Sequence, residues 1–174
     1  MANNVHLTLY ADGKLIQGES EQTSAGRKDT IECLYMESGV STAQQAGKGQ
    51  GSGKRNYAPI LIRKKIDKST PLITKALCGN ETIKAVFKFY RPHPTKGELQ
   101  QFFTINIADA RISSQDLVVP DETRGGAGVE PMETITFTSA NCRWVYAEAA
   151  DGSGKNVSHV DTYDGEDCAD LLCD

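Results

Sequence analysis

The stretch Arg63-Lys64-Lys65-Ile66-Asp67-Lys68-Ser69-Thr70-Pro71-Leu72-Ile73-Thr74-Lys75-Ala76-Leu77-Cys78-Gly79-Asn80 decides the fold, because it holds the one convincing helix in a chain that otherwise reads as strands. Asp67, Ser69 and Thr70 carry oxygens able to accept from a helix's first unpaired amides. Pro71 suits an opening turn where no amide donor is needed. The helix starts at Ser69 or Thr70. Leu72, Ile73, Ala76 and Leu77 make one apolar stripe, with Thr74 and Lys75 facing away. Gly79 and Asn80 accept the left-handed conformation that ends it. A helix of roughly two to three turns is too short to be stable alone in water, so it must lie on a sheet.

Toward the N-terminus, Val5, Leu7 and Leu9 alternate with His6, Thr8 and Tyr10, and Asp12-Gly13 turns the chain into Lys14-Leu15-Ile16, which reads as a hairpin. A third strand covers 30–37, with Ile31, Cys33 and Tyr35 on one face and Leu34 and Met36 on the other. A strand apolar on both faces wants cover on both sides. Residues 39–55 lose their apolar side chains almost entirely and read as a long flexible loop, of the length that is functional or disordered.

A fourth strand, 57–65, places Ile60 and Ile62 on one face and feeds the helix. A fifth, 82–91, turns Ile83, Ala85, Phe87 and Phe89 inward and Lys84, Lys88 and Tyr90 outward. Phe103, Ile105 and Ile107 alternate in 99–108, and Arg111-Ile112-Ser113-Ser114 continues or bends that strand. After a second loop, 120–131, two strands at 133–138 and 141–148 close the domain. These elements predict a mainly β fold, an antiparallel β-barrel or two packed sheets with one α-helix on the side.

The boundary falls after residue 147. Residues 1–147 form the domain, and 148–174 form an acidic tail outside the barrel, with Asp151, Asp161, Asp164, Glu166, Asp167, Asp170 and Asp174 against Lys155 alone. A net charge of -4 and a pI near 5.4 give no reason to expect nucleic acid as a partner. No segment approaches the about 18 consecutive apolar residues of a membrane span, so membrane insertion is not expected. The N-terminus lacks the basic start and apolar run of a cleavable signal, and the cysteine count is odd. Both point to synthesis and assembly in a reducing cytoplasm.

Chemistry is harder to find. The run Gly47-Lys48-Gly49-Gln50-Gly51-Ser52-Gly53-Lys54 imitates a phosphate cradle, but Lys48 stands where a Walker loop needs its first glycine, and Arg55 where Ser or Thr should hold magnesium. The dinucleotide fingerprint fails too, at Ser52 or Lys54. His6, His93 and His159 have no metal-like spacing and read as surface residues. Cys33 and Cys142 read as small core residues, Cys78 lies at the wrong helix end for a stabilised thiolate, and Cys168 and Cys173 give only a weak disulfide signal. The residues ask for no enzyme, cofactor or metal.

Lys65-Ile66-Asp67-Lys68-Ser69-Thr70-Pro71 leading into Leu72 and Ala76 resembles the haemolysin-coregulated protein (Hcp) family, the tube subunits of type VI secretion. The likeness extends through Gly18-Glu19-Ser20, Gly51-Ser52-Gly53-Lys54, Ile112-Ser113-Ser114, Glu133-Thr134-Ile135-Thr136-Phe137 and Trp144-Val145-Tyr146. It implies a β-barrel with a side helix and a homohexameric ring. Such rings stack into a hollow tube, which a contractile sheath expels without a signal peptide and which carries small effectors.

The resemblance assigns ring stacking to the long loop, with Ser38, Gly39, Val40, Gln44, Gln45, Gly49, Gly51, Gly53, Lys54 and Arg55 as its contacts. Asp67, Lys68, Ser69, Thr70, Pro71, Leu72 and Ala76 form the helix motif, and Glu19, Glu32 and Glu37 are candidates for the lumen or effector contacts. Sheath and spike proteins are the other implied partners. The alternative is a ring-forming effector adaptor, or a phage tail-tube-like binding module that forms no tube.

Overall fold

The first two strands, β1 (Asn4–Ala11) and β2 (Lys14–Ile16), make the expected hairpin. It turns through Asp12 and Gly13 at φ 46° and 76°, the left-handed pair that a two-residue hairpin turn requires. The computed structural model describes residues 4–44, 51–93, 99–121, 123, 128–139, 141–146 and 157–161. Within them follow β3 (Ile31–Cys33), β4 (Tyr35–Gln44), β5 (Gly51–Lys65), α1 (Thr70–Cys78) and β6 (Ile83–Pro92). Then come β7 (Leu99–Val118), β8 (Met132–Thr138), β9 (Asn141–Tyr146) and β10 (Val157–Asp161).

The strands pair antiparallel in the order β2-β1-β6-β7-β8-β5-β4, with β3 beside β1, β9 beside β7 and β10 beside β9. The protein is mainly β with one α-helix among the described residues, as expected. The hydrogen-bonded path, however, runs open from β2 to β4, so it does not draw a closed barrel. The sheet folds over through β7. Its first part pairs with β6 and β9, and its second part, Arg111 onward, pairs with β8. Asp109, at φ 50°, sits in the bulge between them, which bends the strand. Phe87 of β6 then meets Phe137 of β8 edge to face at 6.1 Å. Around that contact Leu7, Leu9, Ile31, Ile62, Ile73, Ile107 and Ile135 are fully buried.

Several local expectations change. Residues 39–55 are not a loop: both ends are strand, and β4 and β5 pair from Tyr35↔Arg63 out to Gln44↔Gly51. Polar composition conceals strands when neither face is buried by its own chain. The third strand breaks at Leu34, where β3 pairs with β1 and β4 departs to β5; Leu34 and Tyr35 are exposed. Tyr90 keeps the outward face, beside Lys88 and against His6, yet is fully buried, because residues 25–27 cover it there. On α1 the buried side chains are Thr70, Ile73 and Ala76, whereas Leu72 is 44% exposed and faces away from the core. The stop is made by Asn80 at φ 50°, while Gly79 stays right-handed; the amide of Glu81 reaches back to the Ala76 carbonyl at 3.0 Å. Within the segment read as a tail, Val157–Asp161 extends the sheet as β10 on β9.

Candidate functional site

Two regions are candidates for function, the start of α1 and the β4–β5 hairpin. At the first, the alternation that buries Ile60 and Ile62 along β5 continues to Lys64, which is 1% exposed. On β8 the alternation that buries Ile135 and Phe137 likewise begins at Glu133, also 1% exposed. The two meet: Lys64 Nζ lies 2.6 Å from Glu133 Oε1 and 2.6 Å from Asp67 Oδ1, and donates to the Lys65 carbonyl at 2.9 Å. The ammonium's three donors are thereby used.

Asp67 Oδ1 also accepts from the Ser69 amide at 2.9 Å and the Ser69 hydroxyl at 2.5 Å. Burial alone pushes the Asp67 carboxyl up, but the hydrogen bonds from Lys64 and Ser69 outweigh it and hold it below the usual carboxylate range. Thr70 Oγ1 donates to Glu133 Oε1 at 2.7 Å and accepts from the Asp67 amide at 3.1 Å. Gln115 of β7 closes the cluster. Its Nε2 donates to Glu133 Oε2 at 2.6 Å and to the Thr70 carbonyl at 3.3 Å, and its Oε1 accepts from Thr74 at 2.7 Å.

The motif Asp67, Ser69, Thr70, Pro71 is thus the bolt that fixes α1 across β5, β7 and β8. Ser69 precedes the helix but makes no side-chain cap, since its hydroxyl is turned to Asp67. Lys68 is exposed and gives its amide to Glu19 Oε1 at 3.0 Å, Pro71 opens the helix, and Ala76 is buried under it. Lys64, Gln115 and Glu133 were missed by composition, although Lys64 and Glu133 keep the period of the core.

A second buried polar cluster corrects the reading of His6 as a surface residue, since His6 is 1% exposed. Thr30 Oγ1 donates to the Arg27 carbonyl at 2.6 Å, so His6 Nδ1, 2.9 Å from that hydroxyl, carries the proton and donates. Burial, with the Arg27 charge adding to it, lowers the imidazole pKa to about 4. Tyr90 meets His6 edge-on at 5.5 Å, lies under the Arg27 guanidinium and donates to the Ala25 carbonyl at 3.0 Å. Gly18 seals this corner: a Cβ there would stand 2.3 Å from the Thr30 carbonyl oxygen. Cys33 and Cys142 are buried core residues as expected, and burial pushes the Cys33 thiol up to about 12.

The hairpin is the opposite case. Among the described residues β5 pairs with β8 only over Ile60–Lys65, and its part nearer Gly51 pairs with β4 alone. Ser38, Gly39, Val40 and Gln44 lie on β4, and Gly51, Gly53, Lys54 and Arg55 on β5; Gln45 and Gly49 lie outside the described residues. Ser38, Val40, Ser41, Thr42, Asn56, Ala58 and Pro59 are exposed. Glu19, Glu32 and Glu37 are exposed on different segments; Glu19 holds the Lys68 amide and Glu37 accepts from Tyr35 at 2.9 Å. Among the described residues no three His, Cys, Asp or Glu side chains converge as for a metal. No helix among them is long and apolar enough to cross a membrane.

A family profile described as "Type VI secretion system effector, Hcp" matches residues 8–146. The chain is 26% identical over 133 residues to the "Major exported protein" of Pseudomonas aeruginosa, covering 75% of this chain and 76% of that one. Among solved structures, an Hcp protein superposes with a TM-score of 0.76 at 20% identity, over 94% of this chain and all (100%) of that one. Hcp1 of the E. coli EAEC 042 pathovar gives 0.73 at 23%, over 91% and 99%. The match spans both the bolted helix and the strands of the hairpin, and the chain belongs to the Hcp family of the type VI secretion system.

Proposed function

We propose that this chain is a structural, non-catalytic subunit of the type VI secretion inner tube. It assembles into homohexameric rings that stack into a hollow tube, the contractile sheath expels that tube behind the spike, and small effectors travel in the lumen. The observation that carries this reading is the β4–β5 hairpin within a chain of this family: a two-stranded ribbon pairs with no other strand near its tip among the described residues. A lone two-stranded hairpin is marginal in water, and its unpaired edges invite another chain. A neighbouring ring supplies that partner, so Ser38, Val40, Lys54 and Arg55 become stacking contacts.

The barrel form, with two packed sheets, belongs to the same reading and is supported by the Phe87–Phe137 contact across the core. Glu32 and Glu37 are the lumen candidates; Glu19 shares that assignment with its hold on Lys68. Export is supported by the related major exported protein. Light scattering and negative-stain microscopy of the full-length protein test the proposal. Rings of six with an open centre are expected. Compact monomers persisting at high concentration would overturn it in favour of an adaptor that forms no tube.

A further inference from the structure

The chain's charges are sorted, and the sheet register brings the two sorted regions to one place. From Ser38 to Lys65 the sequence holds Lys48, Lys54, Arg55, Arg63, Lys64 and Lys65 and no Asp or Glu, although the whole chain is at -4. Residues 162–174 hold Asp164, Glu166, Asp167, Asp170 and Asp174 and no Lys or Arg. On the basic side, Lys64 is consumed by the buried network and Lys65 pairs with Glu130. Lys54 and Arg55 stand on the part of β5 that has left β8.

β8 and β9 follow one another along the same edge of β7, as Arg111↔Thr138 and Ala108↔Asn141 keep one register. Their outer edge is shared by β5, which reaches Ile60↔Phe137, and by β10, which runs to Asp161↔Cys142. Antiparallel to β9, β10 is directed at the point where β5 departs. A shallow recess lies there, lined by Ser38, Tyr57, Ala58, Ser139, Cys142 and Trp144. Cys142, which lines it together with the hairpin base, is the register partner of Asp161 at the end of β10.

We infer that the β4–β5 hairpin is a docking surface for the chain's own acidic segment 162–174, which leaves β10 at the hairpin base and lies along the basic strand β5 past Lys54 and Arg55. Fully extended, the segment spans roughly 40 Å, against roughly 30 Å for residues 51–59 of β5, so the whole basic stretch is within reach. Attachment through β10 raises the local concentration of the segment to the millimolar range, which favours it over the same segment of a second copy. The inference rests on charge and register; Lys54 and Arg55 are also proposed stacking contacts, so the docked segment and a stacked ring compete for them, and the test on dilute protein reads the docking alone.

Zero-length carbodiimide cross-linking of the dilute full-length protein, read by peptide mass spectrometry, tests it. An equal mixture of isotope-labelled and unlabelled chains separates links within one chain from links between two. Expected are links from Asp164, Glu166, Asp167 or Asp170 to Lys54 within single chains, their yield falling about tenfold at 1 M salt, where screening acts over about 3 Å. Arg55→Glu, which leaves the Lys54 amine in place, is expected to lower that yield severalfold with circular dichroism unchanged. Links between chains only would overturn the inference in favour of a second copy as occupant. Links spread evenly over Lys14, Lys28 and Lys84, or no link to Lys54, would overturn it outright.

Discussion

The start of α1 and the β4–β5 hairpin sit at the two ends of the same strand, and they solve the problem of polar residues in opposite ways. At one end the chain has buried the Lys64 ammonium and the Glu133 carboxylate and satisfied them within one chain. At the Gly51 end it has left a polar ribbon with no strand partner beyond β4 among the described residues. The difference teaches where each set of residues looks for partners. A buried charge costs several kcal/mol unless its partners are already in place, so they must be intramolecular. An exposed ribbon costs the folded monomer little and keeps its hydrogen-bonding edges for a second body.

The sharpest way to break this contrast is to remove half of the buried pair. Lys64→Ala leaves Glu133 charged and without its cation, and is expected to cost about 3–5 kcal/mol in urea unfolding. The double variant Lys64→Met with Glu133→Leu is expected to be more stable than Lys64→Ala, since apolar groups of similar volume need no partner. A double variant as unstable as the single one would mean that the network acts through more than its charges.

Next come the two neighbours on the helix. Ile73→Ala, at a fully buried position, should cost about 2–4 kcal/mol, while Leu72→Ala should stay within about 0.5 kcal/mol in the isolated subunit. Equal losses would contradict the orientation of α1.

His6 sharpens the comparison from a third side, as a buried polar group only half satisfied. Its folded pKa is lowered from 6.5 to about 4. The unfolded chain takes up the proton first as pH falls, so stability is full above pH 6.5, declines between 6.5 and about 4, and is lower by roughly 3 kcal/mol below that. Asp67, whose pKa is also lowered, adds its own loss where carboxylates protonate. His6→Asn, which keeps a donor for Thr30, should flatten the first window and leave the second. Urea midpoints measured from about pH 2 to 7 decide it, since the Asp67 window lies below the ordinary carboxylate pKa.

The smallest effect on stability belongs to the hairpin. Deleting residues 42–53 should move the unfolding free energy of the subunit by less than about 1 kcal/mol, because the segment's sequence holds no apolar residue larger than alanine. It should nonetheless weaken ring stacking in sedimentation. Stable stacks from the deleted protein would remove the hairpin from the assembly.

Much of this was legible in the residues. Period-two alternation gave β1, β6 and β8 their place, and Asp12-Gly13 gave the first turn its type. The helix boundaries followed from Ser69-Thr70-Pro71. What stayed hidden had physical causes. The hairpin strands hold few apolar residues, and Ser38, Val40, Ser41, Thr42, Asn56, Ala58 and Pro59 are exposed, so periodicity had little to mark. Tyr90 is buried on the outer face by residues 25–27, and cover supplied from elsewhere in the chain leaves no trace in one strand's own pattern. Leu72 and Ile73 are adjacent and equally apolar, and only the direction of Thr70 toward Glu133 fixes which of them enters the core. Lys64 and Glu133 were visible as charges in core register, and only their pairing across β5 and β8 explains them.

One consequence of β7 remains. Its 20 residues run without interruption through both parts of the folded sheet, joined to β6 and β9 on one side of Asp109 and to β8 on the other. A compressive load entering at the aromatic end, where Phe103 packs on Trp144, is therefore carried along one covalent backbone to the bolted helix, in parallel with the ladder bonds. β7 is in this sense a single covalent beam with a built-in bend.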